Sequence, residues 1–352
     1  MLGAALLIPE LLTEIMLCLP SSIDNKFAFA QVPRFWRGVA LDSPLFWSSF
    51  SGGGSELDLH RIPVVLSRSG SNTVLHVEFR FTSHSPASKE ALKILALYAA
   101  RIESLDLSIG NGADFLEFTA LLGSYVDFPA LRTLRLNLKR NEYSKLPRLA
   151  LKAPQLRTLD LNFISRGAVE WETLLVPSLE NIRVYNAGGA TVETLSLIFE
   201  KCPRAWRVAL HEFNLYASNH ADDYFEVFAR RPLAPALREL ELQLEDRDLT
   251  RVLKTGFSDV LLPTLTGSIY QGSLEADLAT LTEALLPGLG PLLFLQLLDD
   301  NDRIELHDDA GHIRRLECWD ADATFDGSDT WNYLSGRYDL HKTAREIRVV
   351  CT

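Results

Sequence analysis

The sequence predicts an α/β fold in which short strands, each followed by a segment laid across the back, form an irregular solenoid preceded by a small three-helix head. Three observations predict it. First, Phe128-Pro129-Ala130-Leu131-Arg132-Thr133-Leu134-Arg135-Leu136-Asn137-Leu138 is nearly copied as Ala153-Pro154-Gln155-Leu156-Arg157-Thr158-Leu159-Asp160-Leu161, and again as Val176-Pro177-Ser178-Leu179-Glu180-Asn181-Ile182-Arg183-Val184. Second, the residues up to Trp47 read as three short helices rich in aromatic side chains. Third, Ser51-Gly52-Gly53-Gly54-Ser55 separates head from repeats as five small residues, the clearest linker in the chain.

The first helix opens at Pro9, whose fixed φ suits a first turn, and Pro20 stops it. Glu10 complements its positive end. Leu11, Leu12, Ile15 and Leu19 fall on one stripe. A second helix fits Asp24 to Val32, ended by Pro33, and a third fits Phe35 to Leu41; the segment closes with Ser43-Pro44-Leu45-Phe46-Trp47. So small a unit cannot hide all of its apolar surface, so either the repeats or another protein must cover it.

The repeat reads Pro-x-Leu-x-x-Leu-x-Leu. Looser copies run from Pro203 to Leu210 and from Pro235 to Leu242, and copies without the proline begin at Val74 (with Val77 and Phe79) and Ile102 (with Leu105 and Leu107). The first apolar positions lie 23 to 32 residues apart, in or near the spacing of leucine-rich repeats. The inward Leu positions alternate with outward ones, which places Arg135, Asp160, Arg183, Tyr185, Arg207, His211 and Glu241 on the face where a protein target would be held. Glu90 to Ala100 has helical periodicity. After Leu244 the repeat weakens: Pro263-Thr264-Leu265 keeps the entry corner, while Gly267 and Ser268 break the apolar spacing. Leu274 to Leu286 reads as a helix, Trp331 to Tyr338 as another. Leu292 to Leu298, Arg303 to His307, His312 to Trp319 and Arg345 to Val350 read as strands. The expected domains are the head, 1–50; a linker and connecting helix, 51–73; the solenoid, 74–270; and divergent repeats with an acidic cap, 271–352.

Composition narrows the function. A net charge of −11 argues against general nucleic-acid binding, which needs a basic footprint. The charge is polarised: 11 acidic residues against three arginines between Asp299 and Asp329, and eight basic residues against Glu142 between Arg132 and Arg157. No apolar run is long enough to cross a bilayer, and Met1 to Ile8 has no positive charge ahead of its apolar residues, so a cytoplasmic or nuclear location is expected. Cys18, Cys202, Cys318 and Cys351 are too widely spaced for a zinc knuckle or redox pair. Asp320-Ala321-Asp322-Ala323-Thr324 is similar to the first motif of haloacid dehalogenase-type phosphatases, but the residues up to Thr352 leave no room for the downstream lysine and carboxylates. The run Asp299 to Asp302 has Ile304 where a calcium loop turns on glycine. His307 and His312 are read as solvated loop residues. No enzyme, metal or cofactor is expected.

The head carries a resemblance. Ile8-Pro9-Glu10-Leu11-Leu12-x-x-Ile15, Leu19-Pro20, Val32-x-Arg34-x-Trp36-Arg37-x-Val39-Ala40 and Pro44-Leu45-x-Trp47 resemble the F-box in the form common among mushroom-type fungi. Val64 to Gly70 and the strand from Val74 to Phe81 are similar to the helix and strand that follow it there. Two positions depart from the pattern: Pro33 replaces the usual cysteine, and Phe35 a polar residue. The resemblance implies an F-box protein with leucine-rich repeats. Its head would dock on the Skp adaptor of a Skp/cullin/F-box ubiquitin ligase through Pro9, Leu11, Leu12, Ile15, Leu19, Pro20, Val32, Trp36 and Trp47, and its repeats would hold the target. The alternative from the same residues is a scaffold or regulator whose head packs on its own repeats and recruits no ligase.

Overall fold

A computed structural model describes residues 9–31, 34–53, 55–81, 86–110, 118–120, 126–138, 149–162, 169–185, 192–211, 234–244, 262–269, 289, 292–298, 303–318 and 346–350. The chain is mixed α/β and divides into two compact units, Met1–Val176 and Pro177–Thr352, each built on a largely parallel sheet.

The first unit opens with α1 (Pro9–Leu17), α2 (Ile23–Phe29), α3 (Arg34–Leu41) and α4 (Pro44–Ser48). Pro9 and Pro44 each occupy a first helical turn, where a missing N–H costs nothing. The closing segment of the head is thus a fourth, short helix. It drives Phe46 and Trp47 into a core shared with Leu12, Met16, Ile23 and Ala40, all at most 1% exposed. Trp47 Nε1 donates to the Ala40 carbonyl at 2.7 Å, satisfying the polar group of an enclosed ring.

The described ends of the glycine-rich stretch are tied into the fold. Ser49–Gly52 form strand β1, paired in parallel with β2 (Leu75–Phe81), and Ser51 N donates to Ser21 O at 2.9 Å. Ser55 then caps α5 (Glu56–Arg68): its side chain accepts from Asp58 N, while the Asp58 carboxylate accepts from Ser55 N and Gly53 N. Gly52 is required by close approach, because a Cβ there would lie 3.0 Å from the Phe79 ring and 3.3 Å from Ile23. Gly52→Val should therefore cost about 1–3 kcal/mol through overpacking, read as a lowered urea midpoint; an unchanged midpoint would show that the junction has slack.

Beyond β2 come α6 (Pro86–Leu97), a 3₁₀ turn at Ala99–Arg101, β3 (Ile102–Ile109), β4 (Thr133–Leu138), β5 (Thr158–Asn162) and α7 (Trp171–Leu174). Strands β1 to β5 lie side by side in chain order, all parallel. Their inward positions form continuous rows: Leu105, Leu134 and Leu159 are in register, as are Leu107, Leu136 and Leu161, and all six are at most 1% exposed. Each such burial contributes roughly 1.5–3 kcal/mol. The first copy is shifted by one residue: Val74 is 40% exposed and Leu75 takes the buried place, opposite Ile102 and next to a register irregularity.

The recurring proline has a local cause. Leu131 N donates to Phe128 O at 3.2 Å and Leu156 N to Ala153 O at 3.1 Å, so each corner is a tight turn with proline second, where its φ is already correct. The second unit repeats the device: Ala205 N donates to Cys202 O and Leu237 N to Ala234 O, both at 3.0 Å.

In the second unit β6 (Asn181–Tyr185), α8 (Val192–Lys201), β7 (Arg207–Leu210), β8 (Glu239–Leu244) and β9 (Thr264–Ile269) follow, the strands again parallel in chain order. Gly267 and Ser268 do not end the pattern, since β9 pairs along its whole length with β8. The order then changes. β12 (Ile313–Cys318) lies parallel to β9, β11 (Arg303–Asp308) runs antiparallel between β12 and β10 (Leu292–Leu298), and β13 (Glu346–Val350) lies parallel to β10. The helices expected at 274–286 and 331–338, the Asp320/Asp322 motif, the run 299–302, Cys351 and most of the acidic stretch lie outside the described residues.

Candidate functional site

The head has two apolar stripes. Leu12 and Met16 point inward at 0% and 1% exposure, while Leu11 and Ile15, one residue earlier in each turn, are 47% and 39% exposed. Phe35 on α3 and Leu45 on α4 are 51% and 57% exposed, with Leu17 and Leu41 also open to water. A groove of about 610 Å³ runs between α1, α3 and α4, lined among others by Pro9, Thr13, Phe35, Val39 and Leu45. Its floor includes Gly38, in the middle of α3, where a Cβ would meet no atom within 4 Å. An interior helix glycine costs about 0.5–1 kcal/mol relative to alanine, and nothing in the described packing requires it.

Of the residues expected to meet an adaptor, Pro9, Leu11, Ile15 and Pro20 are exposed and Leu19 half-buried. Trp36 is half-buried, its ring 5.6 Å from Phe29. Leu12 and Trp47 are corrections: both are 0% exposed and support the face from beneath. Val32 lies outside the described residues. Phe35, Leu45 and Gly38 line the groove beside them. The signal for Leu45 was present in Pro44, because a helix starting there turns Leu45 away from Phe46 and Trp47.

Within the head Lys26 is 5% exposed. Its ammonium donates to the Phe46 carbonyl and lies 4.3 Å over the Phe46 ring, and burial pushes its pKa down to about 8. Arg61 on α5 pairs with Asp24 on α2, and the Arg68 guanidinium stacks 4.6 Å over Trp47.

The polar faces of the sheets carry the other expected residues. In the first unit, parallel register aligns Ser51, Glu78, Asp106, Arg135 and Asp160 across five strands. Burial, and next the Glu78 carboxylate, hold the Asp106 carboxyl above its usual range, partly opposed by Arg135 at 3.8 Å. In the second unit Arg183 faces Ala209, which faces Glu241. Arg207 Nη2 lies 3.0 Å from Glu239 and 3.6 Å from Glu241, and His211 Nε2 lies 2.8 Å from Glu241. The Tyr185 and His211 rings are 4.4 Å apart. Burial alone would raise the Glu241 carboxyl, but the close approach of the His211 ring, with Arg207, holds it below its ordinary range. Arg135 and Asp160 are thus register neighbours in one unit; in the other, Tyr185, Arg207, His211 and Glu241 come together, with Arg183 aligned two strands from Glu241.

His307 is a strand residue rather than a loop residue, and His312, though in a turn, is half-buried and partnered. His307 lies on β11 with Nε2 3.1 Å from Glu305, and His312 Nδ1 is 2.7 Å from the buried Asp308 carboxylate at the turn into β12. Cys18 is exposed and Cys202 buried, the latter's thiol pushed up to about 12 by burial. Among the described residues, no three metal-ligating side chains cluster and no helix is long and apolar enough to cross a membrane. No model of a known protein family matches the chain, and comparison with curated proteins finds no relative.

Proposed function

We propose that the chain is a non-catalytic substrate receptor of a Skp/cullin/F-box ubiquitin ligase. The helical head docks on the Skp adaptor, which joins it to the cullin scaffold, and the strands act as leucine-rich repeats whose polar faces hold a protein target. One observation carries this reading: four large apolar side chains, Leu11, Ile15, Phe35 and Leu45, face water on a head whose opposite side is already filled by Leu12, Met16, Phe46 and Trp47. Apolar surface left open beside a complete core marks a partner site rather than an unfinished fold. The tight proline corners and in-register leucine rows support the repeat half of the reading.

The test is binding of the purified full-length protein to a recombinant Skp-type adaptor. Leu11→Asp combined with Ile15→Asp should weaken binding at least tenfold, about 1.4 kcal/mol, with the thermal midpoint kept. An undiminished affinity, or a wild-type chain that does not bind the adaptor, sinks the proposal and favours the scaffold.

A further inference from the structure

On the polar face of the second unit, hydrogen-bonding groups are left over where two strands meet. Asn181 and Arg183 lie on β6 and Arg207 and His211 on β7, with Asn181 beside Arg207 and Arg183 beside Ala209. Arg183 Nε, Arg207 Nε and the Asn181 amide oxygen are each enclosed with no hydrogen-bond partner among the described residues. A buried donor on a charged group is costly to leave unmade, so this patch is incomplete as it stands. The charges around it are uneven. Arg207 Nη2 serves Glu239 and Glu241, and His211 also approaches Glu241, whereas no described carboxylate of the second unit pairs with Arg183. Ala209 stands between Arg183 and Glu241 in the same row and offers only a methyl, so the chain brings no acceptor of its own to that place. Both arginines are half-buried rather than sealed, which leaves them open to a group arriving from solvent.

We propose that this face binds one carboxylate, supplied by an Asp or Glu side chain of the protein target, which accepts hydrogen bonds from Arg183 and Arg207 above Ala209. A single negative charge matches the one guanidinium without a carboxylate, and the planar group fits the side of an arginine fork. A phosphate would bring close to two charges beside Glu239 and Glu241, which repel the second. The inference rests on the target-holding half of the proposed function and is independent of the adaptor; it makes the target an acidic one.

The test follows the arginine Nε–H signals of the full-length protein by proton–nitrogen NMR, assigned from Arg183→Lys and Arg207→Lys. The probes are the methylamide of N-acetylglutamate, its glutamine counterpart and its O-phosphoserine counterpart. The glutamate compound should shift the Arg183 and Arg207 signals saturably, and the glutamine compound should not. Arg183→Gln should weaken binding at least fivefold, read on the Arg207 signal, while Lys93→Gln on the exposed face of α6 leaves it unchanged. No shift with the glutamate compound would mean that water alone completes the patch and overturns the proposal. An equal shift with the glutamine compound also overturns it, as does tenfold tighter binding of the phosphoserine compound. Should Arg183→Gln fold poorly, Arg183→Lys decides: it keeps the charge but loses the Nε donor, and an affinity equal to wild type sinks the assignment. None of these outcomes bears on adaptor binding, and a chain that passes here but ignores the adaptor loses the ligase reading alone.

Discussion

Leu12→Asp should abolish cooperative folding of the helical head, whereas Leu11→Asp should leave its stability within about 0.5 kcal/mol. The two leucines are adjacent, yet Leu12 is 0% and Leu11 47% exposed. An aspartate at residue 12 would lose the packing of a buried leucine, about 2–5 kcal/mol. It would also place a carboxylate among Met16, Phe46 and Trp47 with no donor to receive it. Together these exceed what most small units can lose. At residue 11 the same carboxylate stands in water in the first turn of α1, where the helix dipole favours it. Urea unfolding followed by tryptophan fluorescence, with Trp171, Trp206, Trp319 and Trp331 replaced by Phe in both variants and in the reference protein, reports on Trp36 and Trp47. A Leu12→Asp protein with a wild-type transition would mean that α1 does not pack as described, and the open stripe would no longer be a reliable docking face.

Raising the pH from about 7.5 to 10.5 should stabilise the head, against the usual trend for proteins rich in ion pairs. Lys26 is the cause. Its pKa falls from 10.5 to about 8 on folding, because burial disfavours the charged amine. Between those values the unfolded chain holds a proton that the folded chain has released, so stability rises with pH across that window and is lowest below it. The full shift corresponds to about 3 kcal/mol. Lys26→Met should remove this pH slope. It also leaves the Phe46 carbonyl without its donor, so the slope rather than the midpoint is the readout. Equal slopes in the two proteins between pH 8 and 10 would place the amine in water.

Strand positions were legible because burial imposes a period of two. The rows through Leu134 and Leu136 could be read from spacing alone, and the strands at 292–298, 303–308, 313–318 and 346–350 were located to within a residue or so from their apolar content. Strand direction was not legible in that region, since the antiparallel placing of β11 depends on partners chosen in three dimensions. The head's helices were announced by their prolines. Which stripe of α1 faces inward was not, because Leu11/Ile15 and Leu12/Met16 have the same four-residue spacing, and only α3 and α4 decide between them. The outward positions of the sheet-face residues follow from alternation, but their pairing, such as Glu241 with both Arg207 and His211, depends on neighbours about thirty residues away. Ser51 to Ser55 misled for a simple reason: glycine signals flexibility in composition, yet here it admits the Phe79 ring.

The strand Ser49–Gly52 has a consequence for anyone who would divide this polypeptide. A cut after residue 50 splits β1 in half, leaves the helical fragment with a stub that has lost its hydrogen-bonding neighbour, and bares β2 as a raw sheet margin prone to self-association. Grafting this head onto another body, or a new head onto this one, therefore calls for moving β1, its capping turn and α5 together as a single piece.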